Sequence, residues 1–205
     1  MKKFILLITI LFVSVISTAC INNLAVQELN NKAKEYMANG ETEKAISRLR
    51  SSIDLDTSIF ETHYNLGVAL IETKEYEEAQ TALENAIKLQ PDFADSYYSL
   101  AIAYEGQADN IINDDDKIDS DKESDTTVKK DKTLTENEKL KVINLLNSAV
   151  DNYNKYLVKK PDAQDKEKVL EQIDYINKQI AEFNSIKDTS LDSVKSTSTN
   201  GEIDD

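Results

Sequence analysis

The 205-residue chain has no tryptophan, one cysteine, one histidine, two prolines and four glycines. A single thiol excludes an intrachain disulfide framework. One histidine is too few for the usual His/Cys zinc site, and no serine or cysteine nucleophile is paired with a recognisable base. The scarce glycines form no phosphate-cradling loop. Cations are also in short supply: 24 Lys and Arg face 38 Asp and Glu, for a formal net charge of -14. Such a balance disfavours nucleic acid, whose phosphates repel it, and adhesion to anionic lipid by charge alone. It keeps the protein soluble and can steer basic partners. These absences point away from an enzyme and from any cofactor. With so few turn-formers, and with Ala, Leu, Ile, Glu and Lys abundant, the chain is expected to be all-α.

What is present begins with a layout of processing. Lys2 and Lys3 precede an apolar run from Phe4 to Ile16, followed by Ser17, Thr18 and Ala19, and then the lone Cys20. A positive start, a short apolar middle and small residues make a secretory signal over 1-19. The run is short for a membrane-spanning helix, which needs about 20 residues. The stretch Ile16-Ser17-Thr18-Ala19-Cys20 resembles a bacterial lipobox, with Ser17 where leucine is usual. The resemblance implies that Cys20 takes a diacylglycerol, becomes the first mature residue and is fatty-acylated at its amino group, as by palmitate. An ordinary signal peptide cut nearby and an uncleaved anchor are the other readings. Two or more acyl chains anchor stably where one binds marginally. The expected location is therefore the extracytoplasmic face of the cell membrane. Loss of the two signal lysines would take the charge from -14 to -16.

A period of 34 runs through the next segment. Ala45 and Ala79 stand one such step apart, and so do Leu49 and Leu83, and Leu55 and Leu89. Upstream, Leu29, His63 and Tyr97 follow the same step, as do Ala33, Gly67 and Ala101, and Tyr36, Leu70 and Tyr104. Within each unit the apolar residues recur three or four apart, on one helical face. The small residues allow two antiparallel helices to approach closely, Asn39-Gly40 suits the turn between them, and Pro91 halts the second copy. One such unit cannot bury its apolar face alone, whereas about three stacked units can. This pattern resembles the tetratricopeptide repeat, and the resemblance implies a helix-turn-helix solenoid of about three repeats. Repeats 1 and 2 and the first helix of repeat 3 fall in 20-106.

The third copy is interrupted. Its second helix is expected near position 113, yet the matching alanine is Ala149, with Tyr153, Tyr156 and Pro161 in the spacing of Leu83, Ala86 and Pro91. The intervening stretch is charged and without aromatics, and it cannot bury enough to fold alone. A disordered acidic insertion over 107-133 is expected. Thr135 and Glu138 have capping-box spacing and start a region, 134-183, that holds the second helix of repeat 3 and a C-terminal capping helix. Val169, Ile173, Ile176 and Ile180 form the stripe of that last helix. The Ser/Thr/Asp-rich tail, 184-205, is expected to be disordered.

The candidate chemistry is recognition. His63 occupies a bulky packing position. Asp114, Asp116, Asp119, Asp121 and Glu123 are oxygen donors, but neither their spacing nor a central glycine matches an EF-hand, so no metal site is expected. In proteins of the resembled family the first helices line a groove that takes peptides. Carried onto this register, Asn30, Lys34, Tyr64, Asn65, Val68, Ile71, Asp95, Tyr98 and Ile102 would face it. Some relatives clamp a C-terminal carboxylate with lysine and asparagine in the first copy, asparagine in the second, and lysine and arginine in the third. Here those positions hold Asn30 and Lys34, Asn65, then Asp95 and Ser99. The third-copy cations are missing and Asp95 would repel a carboxylate, so that activity is not expected. Tyr64 and Tyr98 offer amphipathic contact area instead. The expected function is a membrane-anchored scaffold holding an unknown protein partner in the groove. The alternative is a self-associating envelope spacer, a homo-oligomer whose groove takes no ligand.

Overall fold

The computed structural model describes residues 24–113 and 134–196. Among them the regular elements are helices: α1 over 24–38, α2 Thr42–Leu55, α3 Phe60–Glu72, α4 Tyr76–Leu89, α5 Ala94–Ile112, α6 Glu136–Lys159 and α7 Lys166–Ser196. The all-α helix-turn-helix architecture is the one expected. The chain divides into two compact units, with the division after Ala103, within α5.

The first unit shows why a period of 34 produces pairs of helices. Ala33, Ala45, Ala79 and Ala101 are completely buried. At Gly67 an added Cβ would run into Leu83 Cγ, so α3 and α4 meet at a distance only glycine permits. The turns repeat as well. Glu41 N–H reaches the Tyr36 carbonyl and Glu75 N–H reaches the Leu70 carbonyl, both at 2.8 Å. Each turn passes through the left-handed region, at Gly40 (φ 73°) and at Lys74 (φ 65°). Bonds of this kind satisfy the last carbonyls of a helix. His63 is 6% exposed, and its Nε2 lies 2.9 Å from the Thr57 carbonyl. The carbonyl can only accept, so Nε2 carries the hydrogen. One repeat later, the Tyr97 hydroxyl donates to the Pro91 carbonyl at 3.0 Å. Both are packing residues whose polar ends fasten the loop ahead of their helix.

In the second unit, the end of α5 packs with α6 and α7. The boundary drawn at 107 needs correction: α5 runs to Ile112, and Gln107 and Ala108 are buried. Ala108 holds the register position of Gly40 and Lys74, and alanine favours continued helix over a left-handed turn. Residues 114–133 lie outside the described residues. The capping box is present: Thr135 Oγ1 accepts from Glu138 N–H at 3.3 Å, and Glu138 Oε2 accepts from Thr135 N–H at 2.8 Å. Ala149, Tyr153 and Tyr156 are buried, as their match to the second repeat requires. So are Val169, Ile173 and Ile176. The tail boundary at 184 also moves, because α7 continues to Ser196.

Candidate functional site

The groove candidates all belong to the first unit, and the structure sorts them. Lys34 is exposed, whereas Tyr64, Asn65, Val68, Ile71, Asp95, Tyr98 and Ile102 are half-buried. Ser99 is buried. Asn30 is 9% exposed and acts inside the fold. Its Nδ2 faces the Val26 carbonyl at 3.0 Å, Ser52 Oγ at 3.0 Å and Thr62 Oγ1 at 2.9 Å. One amide therefore links α1 to α2 and α3. Buried polar groups survive when partnered in this way.

Asn30, Lys34 and Asn65 nonetheless line a common cavity of about 360 Å³ between α1 and α3, with Asn31, Ile59 and Glu61. Tyr64, Val68, Ile71, Tyr98 and Ile102 are not part of its lining. Sequence reasoning passed over Asn31 and Ile59. The repeat step from Asn31 to Asn65 was the available signal. Two side-chain atoms of these residues, Asn30 Oδ1 and Asn65 Nδ2, are buried inside the fold without hydrogen-bond partners. One is an acceptor and the other a donor. Asp56, also at the cavity, accepts from the Ser58 N–H at 2.8 Å and the Ser58 hydroxyl at 2.7 Å. These bonds, side chain first, hold its carboxyl below the usual range. With Asp56 and Glu61 set against Lys34, the lining carries more negative than positive charge. This surface suits hydrogen bonding and shape recognition.

An ionisable cluster lies in the second unit. Glu105 accepts from the Tyr153 hydroxyl and from Gln172 Nε2, which places its carboxylate against α6 and α7. Burial pushes its carboxyl above the ordinary range; the two hydrogen bonds pull the other way, and nearby Asp109 adds to the rise. Tyr156 donates to Asp165 Oδ1 at 2.6 Å. The hydrogen bonds of Glu105 tie α5 to α6 and α7. Among the described residues no group of three or more His, Cys, Asp or Glu is placed to hold a metal. The acidic run from Asp114 to Glu123 and the lipid-attachment candidate Cys20 lie outside the described residues. No described helix is long and apolar enough to cross a membrane.

Comparison with known proteins agrees with this geometry. Residues 30–79 match a model described as tetratricopeptide repeat, and residues 69–107 match a TPR repeat model. The first TPR of Spaghetti (RPAP3), bound to the HSP90 peptide SRMEEVD, is a similar structure. It is 14% identical with a TM-score of 0.55, over 77% of this chain and 94% of that one. The TPR2B domain of yeast Sti1, in a complex with pHsp70, is 14% identical with a TM-score of 0.54, over 76% and 98%. The Sgt2 TPR domain from Aspergillus fumigatus is 14% identical with a TM-score of 0.53, over 88% and 87%. No curated protein matches the chain. Tetratricopeptide repeats are thus recognised in the chain, and its fold is that of TPR solenoids.

Proposed function

We propose that this protein is a tethered interaction module that holds a segment of another protein against the first helices of its repeats. The observation that carries the reading is the cavity between α1 and α3, lined by Asn31, Lys34, Ile59 and Glu61 among others. Similar structures hold peptides from heat-shock proteins, as the RPAP3 complex does. This surface differs in charge, because Asp95 and Ser99 stand where a carboxylate clamp would place cations. A neutral or basic segment fits it better than an acidic tail.

The tether is Cys20, lipidated after removal of residues 1–19. That reading rests on the lysine–apolar–small-residue layout alone. Anchoring on the extracytoplasmic face raises local concentration at the membrane, which multiplies weak binding without new contacts. Metabolic labelling with a palmitate analogue should mark the wild type and leave Cys20→Ala unmarked. Labelling of both would overturn the tether.

Partner capture from native membranes tests the groove, with wild type set beside a Lys34→Glu/Val68→Glu double variant. Lys34 is exposed and Val68 half-buried, and circular dichroism checks that the variant keeps its fold. Selective loss of one captured protein supports the reading, and an unchanged captured set overturns it.

A further inference from the structure

The first helix carries charge where its counterparts in the later repeats are buried. One repeat step takes Glu28 to Thr62, Lys32 to Leu66 and Glu35 to Ala69, and a second step takes them to Ser96, Leu100 and Ala103. Those counterparts are all buried, whereas Glu28, Lys32 and Glu35 are exposed. The three share one face of α1 with Leu24, which is 68% exposed, and together they line a shallow hollow of about 240 Å³. Arg48 of α2 joins Glu28 and Lys32 at an adjoining hollow. Lys32 pairs with Glu35 at 2.8 Å. This face is therefore built to stay polar, and its two acids and two bases cancel, although the whole chain carries -14.

We infer that this outer face of α1 lies on the phospholipid headgroups of the membrane. The inference rests on the tether at Cys20 and specifies what the tethered domain touches. Ile21, Asn22 and Asn23 alone separate Cys20 from Leu24. That stretch spans at most about 14 Å between its flanking Cα atoms, so acylation of Cys20 holds the start of this face beside the bilayer. So short a reach also gives a high effective concentration, and contacts too weak to hold a free protein can hold a tethered one. Charge then selects the face. A zwitterionic headgroup presents a phosphate, which suits Lys32 and Arg48, and an ammonium, which suits Glu28 and Glu35. The balanced face meets no net repulsion there, whereas the chain's overall negative charge opposes contact with anionic lipid. A second copy of the chain fits less well, because packing protein on this face would take its charges out of water.

The test uses the protein as it matures in cell membranes, reconstituted into phosphatidylethanolamine–phosphatidylcholine nanodiscs doped with a headgroup-nitroxide lipid. Acylation blocks Cys20, so a single introduced cysteine takes a thiol-reactive fluorophore. Asn31→Cys places the label on the face, in the hollow with Lys32. Asn85→Cys places it on the exposed surface of α4, in the next repeat. The nitroxide should quench the label at position 31 at least two-fold more than the label at position 85. Lys32→Glu/Arg48→Glu keeps the tether and spoils the charge balance; both residues are exposed, and circular dichroism checks the fold. In that background quenching at position 31 should fall to the level at position 85. Equal quenching at both positions, quenching at neither because protein covers the face, or undiminished quenching in the charge variant would each overturn the inference. The tether is read separately, since wild type takes no label when Cys20 is acylated. An unlabelled wild type with any of those overturning patterns removes the docking and leaves the tether standing. A labelled wild type removes the tether, and the docking with it.

Discussion

The junction between the first and second repeats and the junction between the second and third are built on one backbone plan with opposite chemistry. In the first, Asn30, Ser52 and Thr62 meet through an amide and two hydroxyls, with contacts of 2.9 and 3.0 Å to the amide nitrogen. In the second, the same register positions hold Tyr64, Ala86 and Ser96. There the rings of Phe60, Tyr64 and Phe93 supply the packing, and the buried Ser96 Oγ has no partner. The lesson is that small residues at the helix crossings set the repeat geometry, and the residues between crossings remain open to variation. One junction uses that freedom for a filled aromatic core. The other uses it for a polar link beside an open cavity, which is the better place for a ligand.

Truncation at the shared position separates the two chemistries most strongly. Tyr64→Ala removes a ring packed on Phe93 and should cost about 2–3 kcal/mol, below the range for a fully buried aromatic. The reason is that Tyr64 keeps partial exposure. Asn30→Ala should cost less, about 1–2 kcal/mol, as for a lost hydrogen bond that strands no buried group. The Ser52 and Thr62 hydroxyls, 3.4 Å apart, can still pair with each other. Urea unfolding of both variants checks the order. A larger loss from Asn30→Ala would mean that the polar junction is the stronger one.

The hydroxyls sharpen the contrast. Thr62→Val keeps shape and deletes a partner of Asn30, so a loss of about 1 kcal/mol is expected. Ser96→Ala deletes a hydroxyl that pairs with nothing, and stability should stay level or rise by up to about 1 kcal/mol. Equal losses at both positions would show that Ser96 has a partner in solution and that the junctions are more alike than their side chains.

The third copy extends the comparison to a charge. Glu105 lies one repeat step after Ile71, but it is held by Tyr153 and Gln172. Burial raises its folded-state pKa, so the native state binds more protons than the unfolded state once pH passes the unfolded value. Stability from this group is then highest in acid and falls as pH rises through the folded pKa. Glu105→Gln keeps hydrogen-bonding capacity and removes the titration. Denaturation from pH 4 to pH 8 should show a steeper decline in wild type than in the variant, and parallel declines would remove Glu105 as the cause.

Much of this plan was legible in the chain because it depends on size. Ala33, Gly67, Ala101, Ala45 and Ala79 announce close helix pairs, and Thr135 with Glu138 announces the start of α6 through a local bond pattern. The end of α5 was hidden because helix propagation past position 106 depends on burial of Gln107 and Ala108, a tertiary effect that charge composition does not record. The helical stretch beyond Phe183 was masked by the same reliance on composition. Asn30 was legible as a groove position but not as a buried link, because its partners come from two other helices. The cavity was not legible, because its lining residues, Asn31, Asp56 and Glu61 among them, come together only in the fold.

The smallest expected effect lies in the turns, where the first two copies differ by one residue. Gly40 and Lys74 both adopt positive φ, at 73° and 65°. Only glycine reaches that region without a Cβ penalty of roughly 1 kcal/mol. Space is not the constraint at Gly40, since an added Cβ would meet nothing within 4 Å. Gly40→Ala should therefore lower stability by about 1 kcal/mol through backbone strain alone. Lys74→Gly relieves that strain but lets the unfolded chain gain freedom, so the expected gain is smaller, about 0.5 kcal/mol. Matched thermal melts of the two variants would check both signs. A loss from Lys74→Gly would mean that the lysine side chain contributes more to its turn than the backbone takes away, and the two turns would then be equivalent in path but not in what holds them.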